Sequence, residues 1–235
     1  MTFFNSSELL LREKQPELDF QDIQGLVCLN YQIGNFTLFS KFYTQVDQAF
    51  ILWGLISSGI FVTAQFLPIS WSDQAILWSV LTLFGAVGMV SLTWFWATVE
   101  QLRWVVYCWA ILILAGLILT DMSIFLGWGE VLMRLCPLWL GLSAIGYICT
   151  GVGMRSRTFV LMGFIHLLGI LVLPYCGVMQ FLSTGLIMTV SLLLLAELQW
   201  DMQSSSDYNQ LTPQQKQFNQ AQSQRRQMSS KVIKN

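Results

Sequence analysis

The sequence predicts an all-α, polytopic membrane protein: a six-helix transmembrane bundle with a short N-terminal cytoplasmic segment. Three observations predict it. Of the 235 residues, 54% are hydrophobic and only 11% charged, against about 25% charged in an ordinary soluble domain. From Ala49 to Trp200 the chain is almost continuously apolar, broken by a few short polar notches. If that stretch crosses six times, 11 of the 12 Lys and Arg fall on one side.

Residues 1–48 are polar enough to lie outside the lipid. The first eleven lack a basic region and cleavage site, so they are not a secretory signal, and the first apolar span serves as an uncleaved insertion signal. Ser7 to Lys14 reads as a short helix that ends before Pro16. Two readings compete after that. Alternation of Val27, Leu29, Tyr31 and Ile33, then Gly34-Asn35, then alternation again from Phe36 to Phe42, reads as a β-hairpin. Phe36, Phe39, Tyr43, Val46 and Phe50 also share one helical face. The helix is preferred because lipid is adjacent. Either form lays apolar surface on the membrane or on a partner.

Crossing the hydrocarbon core takes about 20 apolar residues. Six stretches qualify, at about 49–69, 75–97, 104–125, 131–151, 158–175 and 177–197, within a transmembrane domain of 49–200. The breaks are Pro68 to Asp73, Glu100 to Arg103, Gly127 to Glu130, the Gly- and Arg-rich run from Gly151 to Arg157, and the uncharged Pro174-Tyr-Cys-Gly177. Residues 201–235 are Gln- and Ser-rich, end basic and lack an apolar period, which predicts a disordered cytoplasmic tail. Its basic residues suit anionic lipid.

With six spans, Arg12, Lys14, Lys41, Arg103, Arg155, Arg157 and the five basic residues of the tail share a side, and Arg134 alone opposes them. The positive-inside rule puts both termini in the cytoplasm. Trp71 and Trp128 then fall at the outer boundary, and Trp94, Trp96, Trp104 and Trp200 at the inner one, as an aromatic belt. The pairs Gly59/Thr63, Gly116/Thr120 and Gly146/Thr150 would let helix backbones approach. The sequons at Asn5 and Asn35 are accidental on this orientation. Five cysteines show no metal-ligand spacing and read as packing residues, with a Cys136–Cys176 disulfide weakly supported.

Ionisable groups in a membrane are the natural functional suspects. Glu100, Glu197 and Asp121 fall at span ends, where solvated or paired charges cost little. Glu130 and Arg134, four apart, suit a local salt bridge. His166, the single histidine, falls near mid-depth about nine residues after Arg157. Ser143 lies at similar depth one span earlier, so antiparallel helices would bring the two together. A neutral His166 bonded to Ser143, Tyr147 or a backbone carbonyl is the structural reading.

Gly141-Leu-Ser143-Ala and His166-Leu-Leu-Gly169 resemble the GxSG and HxxG signatures of rhomboid-type intramembrane serine proteases. That resemblance implies a Ser143–His166 hydrolase. The pattern departs from the family in having Ala144 after the serine and the histidine one helix later instead of two. Haem would want a second axial ligand beside His166. No cofactor, metal or nucleic acid is predicted. The reading adopted is a non-enzymatic multi-pass protein, an assembly, scaffold or regulatory subunit. Its partners are the lipid bilayer and other membrane proteins or a second copy. The alternative is a small-solute transporter or channel component, and the third reading is the hydrolase.

Overall fold

The computed structural model describes residues 3–4, 9–33, 36–202 and 210–233, with the backbone alone at 31–33, 36–39, 227 and 229–233. Helix dominates. In chain order the elements are β1 (Leu11–Arg12), α1 (Phe20–Ile23), β2 (Val27–Ile33), β3 (Phe36–Tyr43), α2 (Gln45–Phe66), α3 (Trp71–Val99) and α4 (Arg103–Phe125). They continue with α5 (Gly129–Leu132), α6 (Leu135–Gly153), α7 (Arg157–Val172), a 3-10 turn (Leu173–Met179), α8 (Gln180–Glu197), β4 (Gln199–Trp200) and α9 (Pro213–Ile233).

Local chemistry sets the helix ends. Thr44 and Asp47 form a reciprocal capping box that starts α2, and Pro68 forces Leu67 into an extended conformation that stops it. The Ser70 hydroxyl receives the Asp73 N–H at 3.1 Å to start α3. α3 and α6 end alike. Leu102 N–H returns to the Ala97 carbonyl and Ser156 N–H to that of Gly151, with Gln101 and Arg155 at positive φ in the position glycine usually takes.

Five helical segments are long and apolar enough to cross a membrane: α2, α3, α4, α6 and the stretch Arg157–Glu197. That last stretch doubles back. Asp201, just past its end, hydrogen-bonds Arg157, its first residue. A straight helix of 41 residues would hold those ends about 60 Å apart. The reversal sits at Gly177, whose φ of 55° and ψ of −122° break the 3-10 turn and suit a residue without a Cβ.

The helices pack as a ring: α8 on α2, α2 on α3, α3 on α4, α4 on α6, and α6 on α7, with α8 closing against α6 and α7. Large apolar side chains such as Leu55, Phe84, Val87, Ile111 and Leu171 point outward. That surface matches a lipid-facing bundle. The main core lies inside the ring around Phe159, Tyr147, Leu195, Val105 and Trp96.

One end of the ring carries nearly all the polar architecture. β1 pairs antiparallel with β4, Leu11 against Trp200 and Arg12 against Gln199, so the chain entering the bundle is stitched to the chain leaving it. The β2–β3 hairpin springs from the same end, with a register shift between Tyr31 and Gln32.

Several expectations are corrected. Leu11–Arg12 is a strand, where Ser7 to Lys14 reads as a helix; its backbone is claimed by pairing with Gln199–Trp200. The hairpin, and not the preferred helix, holds at 36–43, because cross-strand pairing with 27–33 satisfies that backbone; its Gly34-Asn35 turn lies outside the described residues, as do the sequon asparagines. The fourth span begins at Leu135 rather than at 131, after a separate turn of helix at Gly129–Leu132. The tail forms α9. Thr212 and Gln215 cap it reciprocally across Pro213. Cys136 and Cys176 are free thiols.

Candidate functional site: cavities in the bundle and their polar cap

Cavities lie in series along the ring and its polar end. A central one of about 130 Å³ is walled by α2, α3, α4, α6 and α8 and contains Trp53, Trp96, Trp109, Trp139, Ser143 and Tyr147 in its lining. A smaller one of about 40 Å³ lies toward the far end, and Trp53, Ser57, Trp139 and Met188 border both. At the polar end a cavity of about 520 Å³ shares Val46 and Trp96 with the central one. Protein interiors leave few voids larger than a water molecule.

Two tryptophans hold the central walls apart. Trp109 Nε1 on α4 donates to Thr150 Oγ1 on α6 at 2.9 Å, while Trp139 Nε1 on α6 donates to Thr120 Oγ1 on α4 at 3.2 Å. A Cβ on Gly146 would meet the Trp109 ring at 2.6 Å, and one on Gly116 the Trp139 ring at 2.9 Å. The glycines therefore seat indole rings; backbone approach, which the sequence suggested, is not their use here. Trp78 and Thr63 repeat the hydrogen bond between α3 and α2 at 3.0 Å, although Gly59 faces open space.

The polar cap is built from three distant parts of the chain. Gln21 Nε2 donates to Glu100 at 2.7 Å, and Asn219 of α9 donates to Gln21 at 3.0 Å. Arg226 donates to Asp19 at 2.9 Å and to the Glu17 carbonyl at 2.8 Å. Trp96 Nε1 donates to Asp22 at 2.9 Å. Trp96 is thus a core residue bridging cap and bundle, and not a member of a lipid-facing belt. Burial, reinforced by the Asp19 and Glu100 carboxylates, raises the Asp22 pKa to about 7 despite the Trp96 hydrogen bond. Burial also raises Asp19, against the pull of Arg226.

Asp201 anchors the other side of the cap. Its carboxylate receives the backbone N–H groups of Arg157 and Thr158, both of their side chains, and the Ser156 hydroxyl, at 2.6–3.1 Å. It therefore caps the N-terminus of α7 from outside that helix, where a negative charge is favoured. Burial alone would raise its pKa, but the hydrogen bonds from Thr158, Arg157 and Ser156 hold it below the ordinary carboxylate range. Lys14 pairs with Asp47 at 2.7 Å. Lys41 and the Tyr43 hydroxyl both reach Glu197.

The residues singled out from the sequence are placed as follows. His166 is fully buried; its Nδ1 lies 2.8 Å from the Met162 carbonyl, its Nε2 has no partner, and its ring sits 4.8 Å from that of Tyr147. Ser143 lines the central cavity. No hydrogen bond joins Ser143 to His166; of the partners the sequence offered for the imidazole, a backbone carbonyl, that of Met162, takes Nδ1, and the Tyr147 ring packs beside it. Asp121 accepts from Ser79 Oγ at 2.9 Å across α3 and α4. Glu130 and Arg134 are exposed and form no salt bridge with each other. The helix breaks between them, with Arg134 outside helical geometry as the cap of α6, so the four-residue spacing no longer stacks the pair. Among the described residues no His, Cys, Asp and Glu cluster suits a metal.

Sequence reasoning missed the cap. Its one local signal was Thr212-Pro-Gln-Gln215, a helix-start signature; the Gln21, Glu100 and Asn219 contacts span up to two hundred residues of chain and leave no such trace. Comparison with family models, curated proteins and solved structures finds no match.

Proposed function

We propose that this chain is a six-span integral membrane protein with both termini in the cytoplasm. It works by binding and not by chemistry of its own, as an assembly, scaffold or regulatory subunit. The folding back of Arg157–Glu197 and the pairing of Leu11–Arg12 before the bundle with Gln199–Trp200 after it support the span count and sidedness. The positive-inside rule then makes the pole that holds this pairing cytoplasmic.

The observation that carries the binding reading is the β2–β3 hairpin. Among the described residues it is a two-stranded sheet with no third strand on either edge, tied down at its root by Lys14, Tyr43 and Lys41, and it exposes Val27 and Leu29. An isolated two-stranded hairpin is marginal in water, and open edges accept a further strand. A photo-crosslinking amino acid at Leu29 tests this in native membranes. One protein adduct of defined mass from the crosslinker at Leu29, lost when Val27 becomes threonine, is expected. Adducts with lipid or water alone would overturn it.

A second reading, a small-solute carrier or channel component, is favoured by the cavities in series along the bundle. Hydrolysis by Ser143 and His166 draws no support from the geometry.

A further inference from the structure

We propose that the central cavity is a binding site for a neutral ring bearing carbonyl or hydroxyl oxygen, the chemistry shared by lipophilic quinones and phenols. This stands independently of the assembly reading.

Size points to a ring. The cavity measures about 130 Å³, and an apolar cavity of about 150 Å³ in another protein takes up benzene. The walls point to a flat, polarisable guest. Trp53, Trp96, Trp109 and Trp139 line it with Phe50 and Tyr147, and aromatic faces favour stacked or edge-on rings. Those walls do not collapse inward, because Trp109 and Trp139 are pinned at both ring and N–H by Gly146, Thr150, Gly116 and Thr120.

The polar groups on the walls point to oxygen. Ser57, Ser143 and Tyr147 are each more than nine-tenths buried and line the cavity, yet their hydroxyls make no hydrogen bond among the described residues. Neighbouring hydroxyls behave otherwise: Thr93, Thr120 and Thr150 all donate to a carbonyl one turn back. Buried hydroxyls ordinarily find partners, and a carbonyl or hydroxyl on the guest would supply them. The lining contains no ionisable carboxylate, ammonium, guanidinium or imidazole. A charged guest would be left without a counter-charge in an apolar wall, which excludes amines and fatty acids.

The test uses the full chain in phosphatidylcholine nanodiscs. Quenching of tryptophan fluorescence by 2-decyl-1,4-benzoquinone is titrated, with 4-decylphenol and decylbenzene as competitors. A saturable phase at one quinone per chain is expected, displaced by decylphenol at concentrations at least tenfold below those decylbenzene needs. Ser143→Ala and Tyr147→Phe should each weaken binding by about three- to fifteen-fold, the worth of one interhelical hydrogen bond in a membrane. Ser143→Leu, which fills the cavity, should abolish the saturable phase. Quenching with no saturable phase would overturn the proposal. So would decylbenzene competing as well as decylphenol, or Ser143→Ala binding like the parent. The alanine variant keeps the test decisive if the leucine variant fails to fold.

Discussion

Trp109 and Thr150 join α4 to α6 through one 2.9 Å hydrogen bond, with the Trp109 ring filling the space that a side chain at residue 146 would take. The threonine hydroxyl is used twice. It donates to the Gly146 carbonyl at 2.8 Å, which turns its lone pairs toward the incoming indole. Thr120 does the same with Gly116 while receiving Trp139. At Gly116/Thr120 and Gly146/Thr150, Gly-x-x-x-Thr is therefore a receptacle for tryptophan. Hydrophobic association of helices is weak in lipid, so packing and such polar contacts hold the bundle together.

Thr150→Val should cost about 0.6–1.7 kcal/mol, the range for interhelical hydrogen bonds in membranes. Trp109→Phe removes the donor, so adding Thr150→Val to it should cost almost nothing more. Gly146→Ala keeps the bond but drives a methyl into the ring, at about 1–3 kcal/mol. Unfolding of the purified protein in mixed micelles measures all four variants; additive losses in the double mutant would contradict the coupling.

Much of the bundle was legible because it rests on short-range signals. Apolar length, the charged notch at Glu100 to Arg103 and Pro68 mark helix ends to within a few residues. The Gly/Thr pairs were visible, but which side chain would occupy them was not, since indole and backbone both fit beside glycine. The candidate site was barely legible. Ser143 and His166 share a depth, but depth does not fix the angle about a helix axis, and it is Tyr147 whose ring packs against the imidazole. The cap depends on Gln21, Asn219 and Arg226, polar residues in polar surroundings, whose burial only the tertiary fold creates.

Asp201 should be a stability hot spot despite lying beyond the last helix of the bundle. Asp201→Ala removes the carboxylate that receives Arg157, Thr158 and Ser156 and uncaps α7, for a loss of about 2 kcal/mol. Its pKa is depressed in the fold. Its contribution is therefore complete above about pH 4 and is lost as pH falls through the depressed native value. Acid unfolding of the parent and of Asp201→Asn checks this: the substituted protein should lose its dependence on pH in that acid range. An unchanged acid limb would remove Asp201 from the account.

Asp22 carries the opposite sign. Its native pKa of about 7 lies above its unfolded value. The folded protein holds a proton that the unfolded chain has released between about pH 4 and 7. The cap is thus most stable below about pH 4 with respect to this group, and loses stability as pH rises through 7. Asp22→Asn keeps an acceptor for Trp96 and removes the titration. The variant should exceed the parent in stability at pH 8, with the gap closing toward pH 4. Hydrogen exchange at α1 and the start of α9, followed from pH 5 to 8, reads the same change locally.

Topology supplies the sharpest test, because the alternatives differ in sign. Single cysteines at Gln101, Gly129, Arg155, Tyr175 and Gln210, in a chain whose five native cysteines are replaced, occupy exposed positions. If Arg157–Glu197 crosses twice, Tyr175 and Gly129 share the outer face, and Gln101, Arg155 and Gln210 share the inner one. A membrane-impermeant maleimide added to intact cells should then label Gly129→Cys and Tyr175→Cys alone, with the other three reacting only after permeabilisation. A single crossing of that stretch would instead bury Tyr175 in lipid and bring Gln210 outside. It would also separate Asp201 from Arg157 by the full membrane thickness, although the two lie 2.7 Å apart. Labelling of Gln210→Cys from outside would therefore reject both the span count and the placement of the polar cap in the cytoplasm.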